Sequence, residues 1–513
     1  MTPPHMDRRT LLRAGALGTG LLVAGALPAG ADVLKRDRPV LTHGIQSGDV
    51  TTDGALIWTK ADRPSRMLVE VSADPSFRHS RCVTGPVLTP ATDGTGKLRV
   101  RGLPPGRDVY YRVQAEDLDG RTRSEPLTGH FRTAPVGNED IRFAWSGDVA
   151  GQGWGINPDI GGMVGFAAVA ARKPDFFLHS GDTVYSDGPL SESVTLPDGQ
   201  VWHNIVTAAK SKVAESLDEY RGQFAYNLMD SNVRQLFASV PSIVQWDDHE
   251  VLNNWYPGEI LDLPQYTEKR VDVLAKRAFQ AFHEYQPVDP ARAVDGRVYR
   301  SFSFGRRLDL FVLDMRTYKD ANTAPKDGIG HILGDKQAKW LVDSLSRSRA
   351  TWKIVAADLP LGLLVPDGTD IEAVANGLPG APGGREHELA WVLSELQRRR
   401  VRNVVWLTAD VHYTAAHHYS PDRAAFQDFD PFWEFVSGPL HAGAFGPNTL
   451  DPTFGPSAEF VHAPPVANTS PLVGYQHFGE VAIDGRSGEL TVWLRDGRGA
   501  SLWSKKLRPE GAR

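Results

Sequence analysis

Ile243-Val244-Gln245-Trp246-Asp247-Asp248 is a short apolar run that ends in carboxylates, and five other stretches repeat the pattern. They are Ile141–Asp148 (IRFAWSGD), Phe176–Asp182 (FFLHSGD), Leu310–Asp314 (LFVLD), Trp352–Asp358 (WKIVAAD) and Val404–Asp410 (VVWLTAD). Near-continuous β-branched and aromatic runs of this length read as strands buried on both faces of a sheet. Carboxylates where such strands leave the core lie where open α/β sheets place their ligands. Several of them converging on one edge repel one another, which is costly unless positive charge lies between them. A metal ion is the expected answer. Two strand ends also carry histidine, in Asp248-His249-Glu250 and Asp410-Val411-His412, and Tyr185 follows Asp182 closely. This mixed oxygen and nitrogen set suits iron, manganese or zinc.

Around these runs the pattern is strand–helix alternation. Gly165–Arg172, Leu217–Leu236, Val271–Glu284, Lys336–Arg347 and Arg385–Arg400 show apolar spacing near the helical period. That alternation implies a layered sheet with helices outside. After Asp410 the pattern returns to β in Phe432–Val436, Gly479–Asp484 and Glu489–Leu494. The stretch Ser420–Pro471, rich in Pro, Gly, Phe and His, reads as a long ordered surface loop along a substrate cleft.

Before Ile141 the chain is all β. Ala55–Lys60, Met67–Ser72, Val109–Ala115 and His130–Thr133 are short alternating segments separated by turn clusters such as Thr52-Asp53-Gly54. They predict a small β-sandwich of the immunoglobulin or fibronectin kind over residues 39–135. Ala134-Pro135-Val136-Gly137-Asn138 marks the boundary with a second domain over 140–513.

Residues 1–31 read as a targeting segment. Arg8-Arg9-Thr10-Leu11-Leu12 is a twin-arginine pair followed by apolar residues, and the uncharged stretch Ala14–Leu27 is too short and too rich in small residues to span a membrane. Ala29-Gly30-Ala31 supplies a cleavage site. The expectation is export through the twin-arginine machinery, which carries folded proteins, to a secreted or cell-envelope location, with no transmembrane segment in the mature form. Cys82 is the single cysteine, so an intrachain disulfide is excluded, and it is expected to pack as a small buried hydrophobe. A net charge of −6 gives no electrostatic case for nucleic acid or an anionic membrane surface.

The roles of the strand-end residues follow from the chemistry of two adjacent ions, which need a bridging carboxylate and a bridging hydroxide. Asp182, in a tight Gly-Asp turn, is the best bridge. Asp148 and His412 complete one ion, with Tyr185 in reach as a phenolate that favours a hard trivalent cation. Asp248 and Asp410, with Asn253 or its neighbour Asn254, hold the second. The bridging hydroxide then attacks phosphorus, and His249 protonates the leaving oxygen as general acid. Arg316, at another strand exit, either clamps a phosphate oxygen or pairs with a neighbouring carboxylate. Asp358 reads as a cap or supporting acceptor, and His417 and His418 as supporting or surface residues. Trp154, Trp202 and His203 line the cleft or pack.

The Gly181-Asp182-Thr183-Val184-Tyr185 turn, the run Trp246-Asp247-Asp248-His249-Glu250-Val251-Leu252-Asn253-Asn254-Trp255 and the final Asp410-Val411-His412 resemble the PhoD-type alkaline phosphatase/phosphodiesterase family, within the calcineurin-like metallophosphoesterases. The resemblance covers nearly the whole chain, the leader and the preceding sandwich included. It implies a four-layer αββα catalytic domain of the α/β class. It also implies hydrolysis of phosphomonoesters or phosphodiesters, phospholipids in some members, and ferric iron beside calcium or another divalent metal. Better-known members place a cysteine ligand after the first catalytic strand. Here that stretch reads Trp145-Ser146-Gly147-Asp148, so Asp148 takes the position, the site becomes harder, and iron, manganese and zinc stay open. The expected activity is an exported metal-dependent phosphoric ester hydrolase, with a phospholipase D-type phosphodiesterase as a variant. A surface-binding protein on a decayed catalytic scaffold is the competing class, and the complete ligand set argues against it.

Overall fold

The computed structural model describes residues 38–289, 291 and 297–511; the leader expected over 1–31 lies outside them. All six apolar runs form strands, at Ile141–Ser146, Phe176–Ser180, Ser242–Gln245, Leu308–Val312, Trp352–Ala356 and Val404–Thr408. The first three are parallel neighbours in a nine-stranded sheet, and the last three are parallel neighbours in a seven-stranded sheet. Each strand is buried on both faces because its side chains alternate between two apolar cores. Phe143, Trp145, Phe176, Leu178 and Ile243 from one sheet meet Leu310, Val312, Ile354, Ala356, Val405 and Leu407 from the other in a shared central core. Their sequence neighbours Ala144, Phe177 and Val244 face helices on one outer side. Phe311, Val355 and Trp406 face helices on the other. The result is helix, sheet, sheet, helix in four layers.

The helices are Val164–Ala171, Leu217–Asn227, Ser231–Ser239 and Val271–Tyr285 on the first sheet, with Gly334–Arg347 and Glu386–Arg398 on the second. The single helix expected over Leu217–Leu236 is therefore two. Asp230 accepts from the backbone of Asn232 and Val233 and caps a new helix, while its other oxygen accepts from Met163 N. A capping residue inside a periodic pattern restarts the helix on a new axis.

Among the described residues seven strands precede Ile141. Ser80–Leu88, Ser65–Ser72, Asp108–Asp117 and Leu127–Arg132 make a four-stranded antiparallel sheet. The other three, Leu41–Gly48, Ala55–Ala61 and Thr95–Val100, extend the nine-stranded sheet itself, with Gly48 set parallel against Ser242. Val69, Tyr111 and Phe131 of the four-stranded sheet join the central core. Asp49, at the end of the first strand, is locked to the buried Arg300 at 2.9 Å. Cys82 corrects the expectation of burial: it is exposed, on the strand at the open edge of the four-stranded sheet, where alternate residues face solvent. The stretch Ser420–Pro471 is also not a surface loop. It carries the strands Phe432–Val436 and Pro456–His462, and Phe429, Leu440, Ala442, Ala444 and Phe454 within it are buried. Its Pro and Gly residues punctuate strands rather than expose chain. Among the described residues no helix is long and apolar enough to cross a membrane.

Candidate metal centre

Asp148, Asp182 and Asp247-Asp248 follow strands of the first sheet at their carboxyl ends, and Asp314, Asp358 and Asp410 follow strands of the second. Because neighbouring strands run parallel, the two sets of strand ends open on one edge, and the chain turns sharply there to keep the carboxylates inward. Asp148, Asp182, Asp410 and His412 all have positive φ, at 64°, 47°, 68° and 60°. Left-handed backbone is uncommon for residues with a Cβ, and its clustering here is typical of functional sites. The turns are tied together by backbone bonds: Val149 N donates to Asp182 O at 3.0 Å, His441 N to Asp148 O at 3.1 Å and Phe445 N to His412 O at 3.0 Å. Residues 438–446, read from sequence as part of a loop, thus form the floor of the site.

Three groups of side chains come within 4.8 Å of one another: Asp148 with Asp182 and His412, Asp182 with Asp248 and His249, and Asp247 with Asp248 and Asp410. Asp182 and Asp248 each belong to two groups. The Nδ1 of His412 meets the Gly443 carbonyl at 2.5 Å, and donating there leaves its Nε2 lone pair facing Tyr185 Oη at 2.7 Å and Asp148 Oδ1 at 3.7 Å. Gly438 and Gly151 are required by close approach: a Cβ on Gly438 would lie 2.0 Å from Asp148 Oδ2, and one on Gly151 would lie 2.6 Å from the Tyr185 ring.

Burial, then the charges of Asp410 and Asp247, push the Asp148 carboxyl well above the usual range, and burial with Asp248 and Asp247 does the same to Asp182. Burial also raises the Tyr185 phenol, followed by the Asp182 and Asp148 charges. Burial works against the charge on His249, but Asp187 and Asp248 outweigh it and lift the imidazole to about 9. His249 Nδ1 lies 2.7 Å from Asp187 Oδ1 and its Nε2 4.0 Å from Asp248 Oδ2, while its ring packs on Tyr185 with centroids 4.1 Å apart. His249 and Asp410 keep 11% and 9% of their side chains exposed, so they form the lip of an otherwise closed cluster.

Two expectations require correction. Arg316 is not a solvent-facing phosphate clamp. Its side chain has no exposed surface, and its guanidinium lies among Asp247, Glu372, Asp410 at 3.1 Å, Asp358 at 3.7 Å and Asp248 at 3.8 Å. Asn253 is exposed and offers its backbone N–H to Asp187 at 2.8 Å. Its rival Asn254 lies nearer, donating its backbone N–H to Asp248 at 2.5 Å and its side-chain amide to Asp367 at 3.1 Å. The remaining residues fall outside the cluster or behind it. Asp314 caps the turn after its strand, accepting from Thr317, and Asp358 accepts from Gln245. His417 is buried against Glu434, and His418 lies beside Arg423 and Trp433. Trp154 and Trp202 pack edge to face, and His203 pairs with Asp159.

Asp187, Lys319 and Glu372 carry no signal in the sequence, and Asp247 and Glu250 have no role there beyond the run that contains them. Glu250 accepts from Thr183 and from Asp247 N, which fixes the Asp182 turn against the Asp248 turn. Its position within Asp247–Glu250 was the available signal. Nothing in the sequence marks Glu372, which arrives from a segment with no catalytic pattern.

The donor set fits metal. Asp148 is fully buried and neither of its carboxylate oxygens has a hydrogen-bond partner. A buried carboxylate so placed is expensive unless a cation meets it. Asp148, Asp182, Asp247, Asp248, Glu250, Asp358 and Glu372 are all buried; of the buried basic side chains, Arg316 and Lys319 pair with members of this set and Lys210 donates to Tyr185 O. That excess of negative charge matches a site for more than one ion.

Four layers with a carboxylate–histidine cluster at the strand ends make an α/β fold with a metal-type donor set where such folds carry their ligand sites. The PhoD-like phosphatase family model matches residues 143–494, and the model for that family's N-terminal domain matches 27–135. The chain belongs to the PhoD-like phosphatase family. It is 27% identical over 478 residues to alkaline phosphatase D of Bacillus subtilis (strain 168), covering 86% of this chain and 77% of that protein. In fold it is similar to the solved structure of PhoD, with a TM-score of 0.69 at 21% identity over 91% of this chain and 89% of that one. It is also similar to the purple acid phosphatase PPD1 of yellow lupin (Lupinus luteus), with a TM-score of 0.55 at 13% identity over 92% and 74%.

Proposed function

We propose that this chain is an exported, metal-dependent phosphatase and phosphodiesterase. Asp148, Asp182, Tyr185 and His412 would hold one ion, ferric iron by preference, and Asp248 and Asp410 with Asp182 would hold a second, calcium, manganese or zinc. The observation that carries this reading is Asp148, whose two buried oxygens have no hydrogen-bond partner, with Oδ1 3.7 Å from the His412 Nε2 that Tyr185 Oη also meets.

Ions bound there supply positive charge to phosphoryl oxygens and lower the pKa of water. The protein does the rest. Left-handed turns and crossed backbone bonds fix the ligands before substrate arrives, so little reorganisation accompanies reaction. Tyr185 and the 438–446 segment close the floor against bulk water. His249 stands at the lip with its proton held by Asp187 on one nitrogen, and its other nitrogen faces the cluster, where it protonates the leaving oxygen. Asp187 is a positioning residue, since it touches His249 and the Asn253 backbone rather than the reacting atoms.

The substrate is a phosphate ester, and a panel of an aryl phosphomonoester, its bis-ester and a phospholipid, with metal content measured on the same sample, tests the reading. Hydrolysis that follows metal content is expected. Hydrolysis by metal-free protein at the loaded rate sinks it. The Arg8-Arg9 segment supports twin-arginine export, and replacing both with lysine should retain the protein inside the cell.

A further inference from the structure

The guanidinium of Arg316 sits at the junction of four segments. It touches Asp247 and Asp248 after one strand, Asp358 after a second, Asp410 after a third, and Glu372. No part of the side chain reaches solvent. We infer that Arg316 is a covalently tethered cation standing in the place of a further metal ion, and that it holds Asp248 and Asp410 together before any ion is loaded. This inference rests on the proposal that those two carboxylates serve a metal.

The geometry separates this role from substrate binding. A guanidinium has five N–H donors in a fixed fork. Here Nε donates to Asp247, one Nη donates to Asp410 and the other Nη faces Glu372, and the whole group is closed to solvent, so a phosphate has no approach to it. The group also keeps its proton throughout the working range, so its charge persists whether or not metal is present. A lysine in the same place loses its charge more readily on burial. Lys319, with its Nζ 3.6 Å from Glu372 Oε1, shows the contrast: burial drives its ammonium well below its usual value, with Arg316 the next contributor. Asp247, Asp358 and Glu372 add three buried carboxyl groups beyond the proposed ligands, and without a fixed cation they would have to be met by another ion or by protons.

Arg316→Gln therefore exposes a vacant, carboxylate-lined position. Wild type, Arg316→Gln and Arg316→Lys are each equilibrated with calcium and with manganese, and then analysed for metal per chain and for melting temperature with and without chelator. The expected result is about one more divalent ion per chain in Arg316→Gln than in wild type. Its metal-free form should melt well below metal-free wild type, and Arg316→Lys, whose ammonium loses its charge more readily on burial, should melt between the two when metal-free. An Arg316→Gln protein with wild-type metal content and a wild-type metal-free melting point overturns the inference. If Arg316→Gln does not fold, the triple variant Arg316→Gln/Asp358→Asn/Glu372→Gln decides. Recovery of folded protein supports the counter-ion role, and equal failure overturns it. A wild type that binds no metal sinks the proposed function instead, while the metal-free melting comparison still tests Arg316.

Discussion

Adding one methyl group at Gly438 should disable the centre without touching a ligand. The Cβ of Gly438→Ala would lie 2.0 Å from Asp148 Oδ2, where ordinary contact begins near 3.4 Å, so one partner must move by more than an ångström. The Asp148 backbone cannot follow, because its carbonyl accepts from His441 N and its φ is already positive. The carboxylate must instead turn away from His412, which it faces at 3.7 Å. Misplacing a catalytic group by about 1 Å costs on the order of 10²-fold in rate. Forcing atoms into a packed site costs about 1–3 kcal/mol of stability. The assay is kcat/KM on an aryl phosphate at saturating metal, read beside the rise in melting temperature that metal produces. Both should fall, while Gly328→Ala, whose Cβ meets nothing nearer than 3.9 Å, should change neither. A Gly438→Ala enzyme with wild-type kcat/KM and a wild-type response to metal refutes the assignment of Asp148.

Other substitutions probe different parts of the account. Asp182→Asn and His412→Ala should each lower kcat/KM by about 10²–10³-fold with circular dichroism unchanged; full activity in both removes the site assignment. His249→Ala should lose about 10²–10⁴-fold on alkyl esters and much less on aryl esters with good leaving groups, and equal losses exclude the acid role. Arg300→Met should cost about 3–5 kcal/mol, because it leaves Asp49 buried without its partner. A chain that melts like wild type would show that this pair does not weld the first strands to the large sheet.

The catalytic strands were legible because each must be apolar on both faces, and that leaves an unbroken run of Ile, Val, Phe and Trp closed by an aspartate. The turns at Asp182, Asp248 and His412 were legible because the chemistry is local to a strand end. What the sequence hid depends on contacts between distant segments. Arg316 looks the same whether it meets phosphate or carboxylates, and only packing against Glu372 and Asp358 separates the two. Asp187 lies beyond the Asp182 turn with no pattern of its own, and its role appears when His249 folds onto it. Cys82 is an ordinary strand residue whose exposure is set by its sheet having an open edge. The Ser420–Pro471 stretch misled because its Pro and Gly residues read as a surface loop. At Gly438 the missing side chain instead leaves room for Asp148.

The central claim is that the carboxylates of two sheets meet around cations. Anomalous X-ray diffraction from crystals of the active chain, collected across the iron, manganese and zinc edges, tests it most directly. The expected result is metal density bounded by Asp148, Asp182, Tyr185 and His412, and a second site, by anomalous signal or by calcium density, at Asp182, Asp248 and Asp410. Fully active crystals with no ion at these residues would contradict it.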